Sequence, residues 1–158
     1  PLHFIFAFSI FGLLLVSDAR SITGVPTAGP APEAAIAGTA PLCVADVHTL
    51  CLNDNRFSVT ATFQQTPEGP SAPATAVPLT GDSGYFWFFD AANVELITKV
   101  LNGCGVTDSY WFFASGLTNV GVHIVVTDLR SGVFQSYDNA VGTPFAPIQD
   151  TSAFSACH

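Results

Sequence analysis

Between Arg56 and Gln64 the chain alternates strictly: Phe57, Val59, Ala61 and Phe63 interleave with Arg56, Ser58, Thr60 and Thr62. A period of two sends one set to a core and the other toward solvent, so this stretch is expected to be a half-buried strand, opened by the turn Asn53-Asp54-Asn55. Val122 to Asp128 and Val133 to Tyr137 flank Leu129-Arg130-Ser131-Gly132 and are expected to form a hairpin about a short glycine-containing turn. Val94 to Leu101 fits helical as well as strand spacing. Its β-branched Val94, Ile97, Thr98 and Val100 decide for strand. Ala76-Val77-Pro78-Leu79 is limited to an edge strand, because proline has no N–H to give to a ladder. Gln65 to Ala74, with three prolines, is expected to be a long loop, and Gly81-Asp82-Ser83-Gly84 a turn.

Two segments are aromatic at every position, Tyr85 to Phe89 and Tyr110 to Phe113. Alternation places Tyr85, Trp87 and Phe89 on one face and Phe86 and Phe88 on the other. One set is expected to be core. The expected contact surface is the sheet that carries both segments, with Tyr85, Trp87, Phe89, Tyr110 and Trp111 as its binding residues, since Trp and Tyr combine broad apolar area with a polar edge. Burial of both sets in a small sandwich is the competing expectation. Taken together, the short strands and turn signals from Cys43 to His158 predict a single all-β domain. Its expected form is an antiparallel β-sandwich of about seven strands, immunoglobulin-like in class.

Ahead of it, Leu2 to Val16 is an almost unbroken apolar run, short for a bilayer span and suited to the h-region of a secretory signal. Residues 1–19 are expected to be a signal peptide, N-terminally incomplete because neither Met nor a basic region precedes the run, with cleavage after Ala19. An uncleaved anchor is the alternative. Residues 20–42 are rich in Ala, Pro and Gly without hydrophobic period, a linker that cannot offset its own chain entropy. The expected location is secreted or extracytoplasmic.

Export changes the reading of the four cysteines, Cys43, Cys51, Cys104 and Cys157, toward disulfides. Three connectivities are open. Spacing favours Cys43 with Cys51 and Cys104 with Cys157, worth about 2.5 and about 4 kcal/mol in the loop-entropy model. A zinc site would need ligand pairs at short spacing, which His48, His123 and His158 do not supply.

The segments CLNDNRFSVTATF, DSGYFWFF, NVEL, KVLNG and WFFASGLTNVGVHIVVTDLRSG resemble an uncharacterised domain that recurs in exported proteins of environmental bacteria, acidobacterial relatives among them. The resemblance covers Cys43 to about Phe154. It implies a domain appended to exported enzymes or surface proteins and carries no assigned reaction.

Charge removes one class of partner. Of 158 residues only 10% are charged, and twelve acids against four Lys/Arg leave a formal charge of −8, so the basic footprint of a nucleic-acid binder is missing. The acidic balance favours a neutral or cationic partner. The string GDSG resembles the nucleophile segment of chymotrypsin-like proteases, yet no histidine motif accompanies Ser83, and a turn accounts for the same letters. Asp82, Asp90, Asp108 and Asp128 fall near strand ends without calcium-loop spacing and read as turn-capping residues. Glu33, Glu68 and Glu95 offer no acid pair. The expected function is therefore an exported non-catalytic interaction or structural module, with no cofactor and no metal. A carbohydrate-binding accessory domain and a small secreted hydrolase are the alternatives. The expected partner is a protein, a carbohydrate or a second copy of the chain, with a membrane engaged only through an uncleaved N-terminal segment.

Overall fold

The computed structural model describes residues 40–157; the expected signal segment and the linker up to residue 39 lie outside the described residues. Ten strands form two antiparallel sheets. The first contains β1 (Thr49–Leu52), β2 (Phe57–Gln64), β8 (Gly121–Asp128) and β9 (Val133–Asn139) in that order, with β3 (Ser71–Pro73) also paired to β2. The second runs β10 (Ile148–Phe154), β7 (Tyr110–Gly116), β6 (Leu96–Asn102), β5 (Ser83–Trp87), β4 (Thr75–Thr80). The β-sandwich read from the sequence is what the chain forms, with ten strands in place of about seven. Among the described residues no helix is long and apolar enough to cross a membrane.

The core follows from alternation. Phe57, Val59, Ala61 and Phe63 of β2 face inward, as do Val122, Ile124 and Val126 of β8. They meet Phe86 of β5, Leu96 and Val100 of β6 and Phe112 of β7 from the opposite sheet. β2 and β8 pair over their full length, from Phe57 opposite Asp128 to Gln64 opposite Gly121. β8 and β9 form the expected hairpin, closed by Gly132 at φ 75°.

The added strands lie where sequence signals are weakest. β3 occupies three residues of the expected 65–74 loop; Pro73 is tolerated because the strand is short and peripheral. β4 is an edge strand, as its proline required. The expected 81–84 turn is shorter than read, since Ser83 and Gly84 already belong to β5. A Cβ on Gly84 would sit 2.5 Å from Leu50 Cδ2, so the missing side chain is what lets β1 pack onto β5. One helical turn, α1 (Cys104–Thr107), follows β6; no helix was expected there. It ends on Asp108, whose φ of 56° suits a residue tolerant of the left-handed region.

Both expected disulfides form, Cys43–Cys51 and Cys104–Cys157, with Cα separations of 5.6 and 5.7 Å. At one end of the sandwich Arg56 and Asp128 form a buried bidentate pair, Nε to Oδ1 at 2.9 Å and Nη2 to Oδ2 at 2.8 Å. The Arg56 guanidinium lies 4.3 Å above the Tyr110 ring and also donates to the Ala156 carbonyl. Ser131 Oγ and the Arg130 N–H donate to the same carboxylate. Few of its acceptor positions are left without a donor.

Candidate functional site

The outer face of the second sheet is built by parity. In β5, β6 and β7 the core takes Phe86, Leu96, Thr98, Val100, Tyr110, Phe112 and Ala114. The intervening residues point away: Tyr85 and Trp87 on β5, Ile97, Lys99 and Leu101 on β6, Trp111, Phe113 and Ser115 on β7. β6 lies between the two aromatic strands, so their outward rings frame its side chains rather than touch directly.

Register turns these residues into rows across the strands. Gln149 lies opposite Phe113, Phe113 opposite Lys99, and Lys99 opposite Ser83. Two residues along, Ser115 lies opposite Ile97 and Ile97 opposite Tyr85. Between the rows runs a shallow groove of about 450 Å³, extended at the β10 side by Pro147. Ile97 is 44% exposed, a large apolar side chain in open solvent at the groove wall.

Of the five residues expected to bind, the structure brings Tyr85 and Trp87 to this face. Trp111 reaches it too, but its Nε1 donates to Thr107 Oγ1 at 2.5 Å and its ring closes over Gly103, where a Cβ would meet it at 2.2 Å. This bond and this contact hold α1 against β7. Two expectations are corrected. Tyr110 faces the core at 8% exposure, its ring 4.9 Å from Phe57 and capped by Arg56. Phe89 is 50% exposed but leaves the sheet, because β5 ends at Trp87; its ring stands edge-on to Phe63, 5.0 Å away. The residues that sequence reasoning missed are Ile97, Lys99, Ser115 and Gln149; Phe113 lay within the expected aromatic segment but outside the five expected binding residues. Alternation within β6 marks Ile97 and Lys99 as outward; the missing information was which strands flank it.

Several polar groups are engaged in local hydrogen bonds. Ser83 Oγ shares a 2.6 Å hydrogen bond with Thr80 Oγ1, which donates to Asp82 Oδ1 at 2.5 Å. A serine so engaged has a neighbouring hydroxyl in place of a base. Asp90 Oδ1 accepts the Ala92 N–H, and Asp128 is held by Arg56. Among the described residues no three His, Cys, Asp or Glu side chains converge. His123 and Asp138 form an exposed pair at 2.6 Å on the other sheet. A cavity of about 190 Å³ beside Arg56 is lined by Asn53, Asn102 and Arg130. Compared with family models, with curated proteins and with solved structures, the chain matches none.

Proposed function

We propose that this chain is an exported, non-catalytic interaction module whose contact surface is the outer face of the second sheet. The observation that carries the reading is an open groove walled by Ile97 and Phe113, on the sheet face that also carries Tyr85 and Trp87. Apolar side chains grouped in this way, with polar neighbours, are what interaction surfaces use. Two disulfides support export, since such bonds persist in oxidising compartments. The engagement of Ser83 with Thr80 supports a role without catalysis. Among partner classes, the hydroxyl and amide groups of Ser83, Ser115 and Gln149 beside the rings favour a carbohydrate over a purely apolar protein surface.

The test is Trp87→Ala in the full, oxidised chain. Stability is expected to change by about 1 kcal/mol or less, as for a surface residue. Adsorption to those insoluble polysaccharides that retain the parent chain, scored by depletion from solution, is expected to weaken tenfold or more. Losses of ~3–5 kcal/mol in both Trp87→Ala and Trp111→Ala, the signature of core residues, would overturn the reading.

A further inference from the structure

The groove holds one charge. Lys99 sits at the middle of its row, between Phe113 and Ser83, and forms no ion pair among the described residues. Of the other cations described, Arg56 is committed to Asp128 and Arg130 lies at the far cavity. Resting on the assignment of the outer face as the contact surface, we infer that the groove takes a short, largely neutral oligosaccharide carrying a single carboxylate, with that carboxylate on the Lys99 ammonium.

Three observations lead there. First, the groove crosses the strands instead of following an edge. It spans β10, β7, β6 and β5, three strand spacings or about 14 Å, and the backbone N–H and C=O groups of β7, β6 and β5 beneath it are already bound in the ladders; only at its β10 end does it reach an edge strand. A peptide recognised by strand addition needs free backbone groups at a sheet edge. Over β7, β6 and β5, where Phe113, Lys99 and Ser83 lie, this groove presents side chains rather than free backbone groups. Second, those side chains are the kinds that hold a sugar: an aromatic ring on Phe113, a hydroxyl on Ser115 and an amide on Gln149, with the Tyr85 phenol opposite Ile97 on the same face. Third, the number of cations sets the number of anionic groups. A carboxylate on Lys99 gains a charge-assisted hydrogen bond; a second would meet no cation and lie in the field of an acidic chain. The whole-chain charge of −8 repels polyanions, but at physiological salt that field is screened within about 8 Å, and the local ammonium decides for one group.

The experiment is calorimetric titration of the full, oxidised chain with three trisaccharides. One carries a single glucuronic acid on two xyloses, one is xylotriose, and one is trigalacturonate with three carboxylates. The single-carboxylate sugar is expected to bind at least tenfold tighter than either of the others. Lys99→Ala is expected to erase its advantage over xylotriose while Lys99→Arg keeps it. Phe113→Ala is expected to weaken both. Equal affinity for the first two sugars, or an advantage that survives Lys99→Ala, overturns the carboxylate assignment but leaves the contact surface standing if Phe113→Ala still weakens binding. Binding indifferent to both Phe113→Ala and Tyr85→Ala overturns the contact surface as well. No heat with any of the sugars, or Lys99-dependent binding of the tripeptide Ala-Glu-Ala at equal strength, overturns the sugar.

Discussion

Arg56 and Asp128 show how one pair of residues sets a stability limit. Burial works to raise the Asp128 carboxyl, but hydrogen bonds from Arg56, Ser131 and the Arg130 backbone outweigh it and hold the group below the usual carboxylate range; Arg56 is raised in turn, first by its bond to Asp128. A carboxylate whose folded value is depressed stabilises the fold above its unfolded value, near pH 4. That stabilisation is lost as pH falls through the lower folded value. Acid unfolding of the parent chain is therefore expected to steepen below about pH 4, and Asp128→Asn to flatten that dependence, read from denaturation midpoints across pH 2–6. Arg56→Ala leaves a buried carboxylate without its cation and is expected to destabilise by ~3–5 kcal/mol. A change under 1 kcal/mol would show that the pair contributes little. Asn53, Asp54 and Asn55, all at positive φ between 52° and 62°, set the turn that delivers Arg56 to this position. Asn53 Nδ2 ties that turn to the second sheet through the Val100 carbonyl at 2.9 Å.

Strands at the rim of a sandwich leave ladder groups open, and here side chains close one rim. Tyr137 of β9 donates its hydroxyl to Asp150 Oδ2 of β10 at 3.0 Å while its ring stacks on Phe112 at 4.8 Å. Gln135 Nε2 donates to the Ala153 carbonyl. Burial, followed by the bond to Asp150, raises the Tyr137 phenol above its ordinary value. A raised folded value means stabilisation that is complete below the unfolded value, near pH 10, and lost as pH rises through the folded one. Tyr137→Phe keeps the stacking and is expected to lose about 1 kcal/mol, one hydrogen bond's net contribution. The variant is also expected to lose part of the alkaline sensitivity of the parent; an unchanged alkaline limb in chemical denaturation would refute the assignment. The opposite rim is joined by the Ala76 N–H to the Val47 carbonyl and by His48 Nδ1 to the Ala74 carbonyl.

At the scale of the whole molecule, the two disulfides act on different lengths of chain. Cys104–Cys157 closes a separation of 53 residues and Cys43–Cys51 one of 8. The loop-entropy model gives the longer link about 4 kcal/mol and the shorter about 2.5. Replacing Cys104 and Cys157 together by Ser is expected to lower stability more than the same change at Cys43 and Cys51, measured by urea denaturation of both double variants. The reverse order would place the stabilisation in native-state contacts of the short loop. The longer link also fastens the C-terminal segment under which Arg56 reaches the Ala156 carbonyl, so its loss is expected to loosen the charged end of the sandwich before the groove.

The sequence alone determined what depends on neighbours within one strand. Period-two alternation marked the inward face of β2, and the polar residues between its apolar ones set the parity. The proline in β4 confined it to an edge because a missing N–H is a local property. Cysteine spacing favoured the two links that form. Tertiary structure decided whatever depends on strands distant in sequence. Tyr110 to Phe113 is aromatic at every position, so no polar residue told which parity faces in; the core beside Phe57 and Arg56 took Tyr110. Phe89 left the face because β5 ends at Trp87, ahead of the Asp90 turn, a boundary that the aromatic run conceals. The groove exists because β6 enters between β5 and β7 and sets Lys99 opposite both Phe113 and Ser83. Alternation specifies which side of a strand is wet, whereas the identity of its neighbour is fixed by packing across the sandwich, where residues far apart in the chain meet.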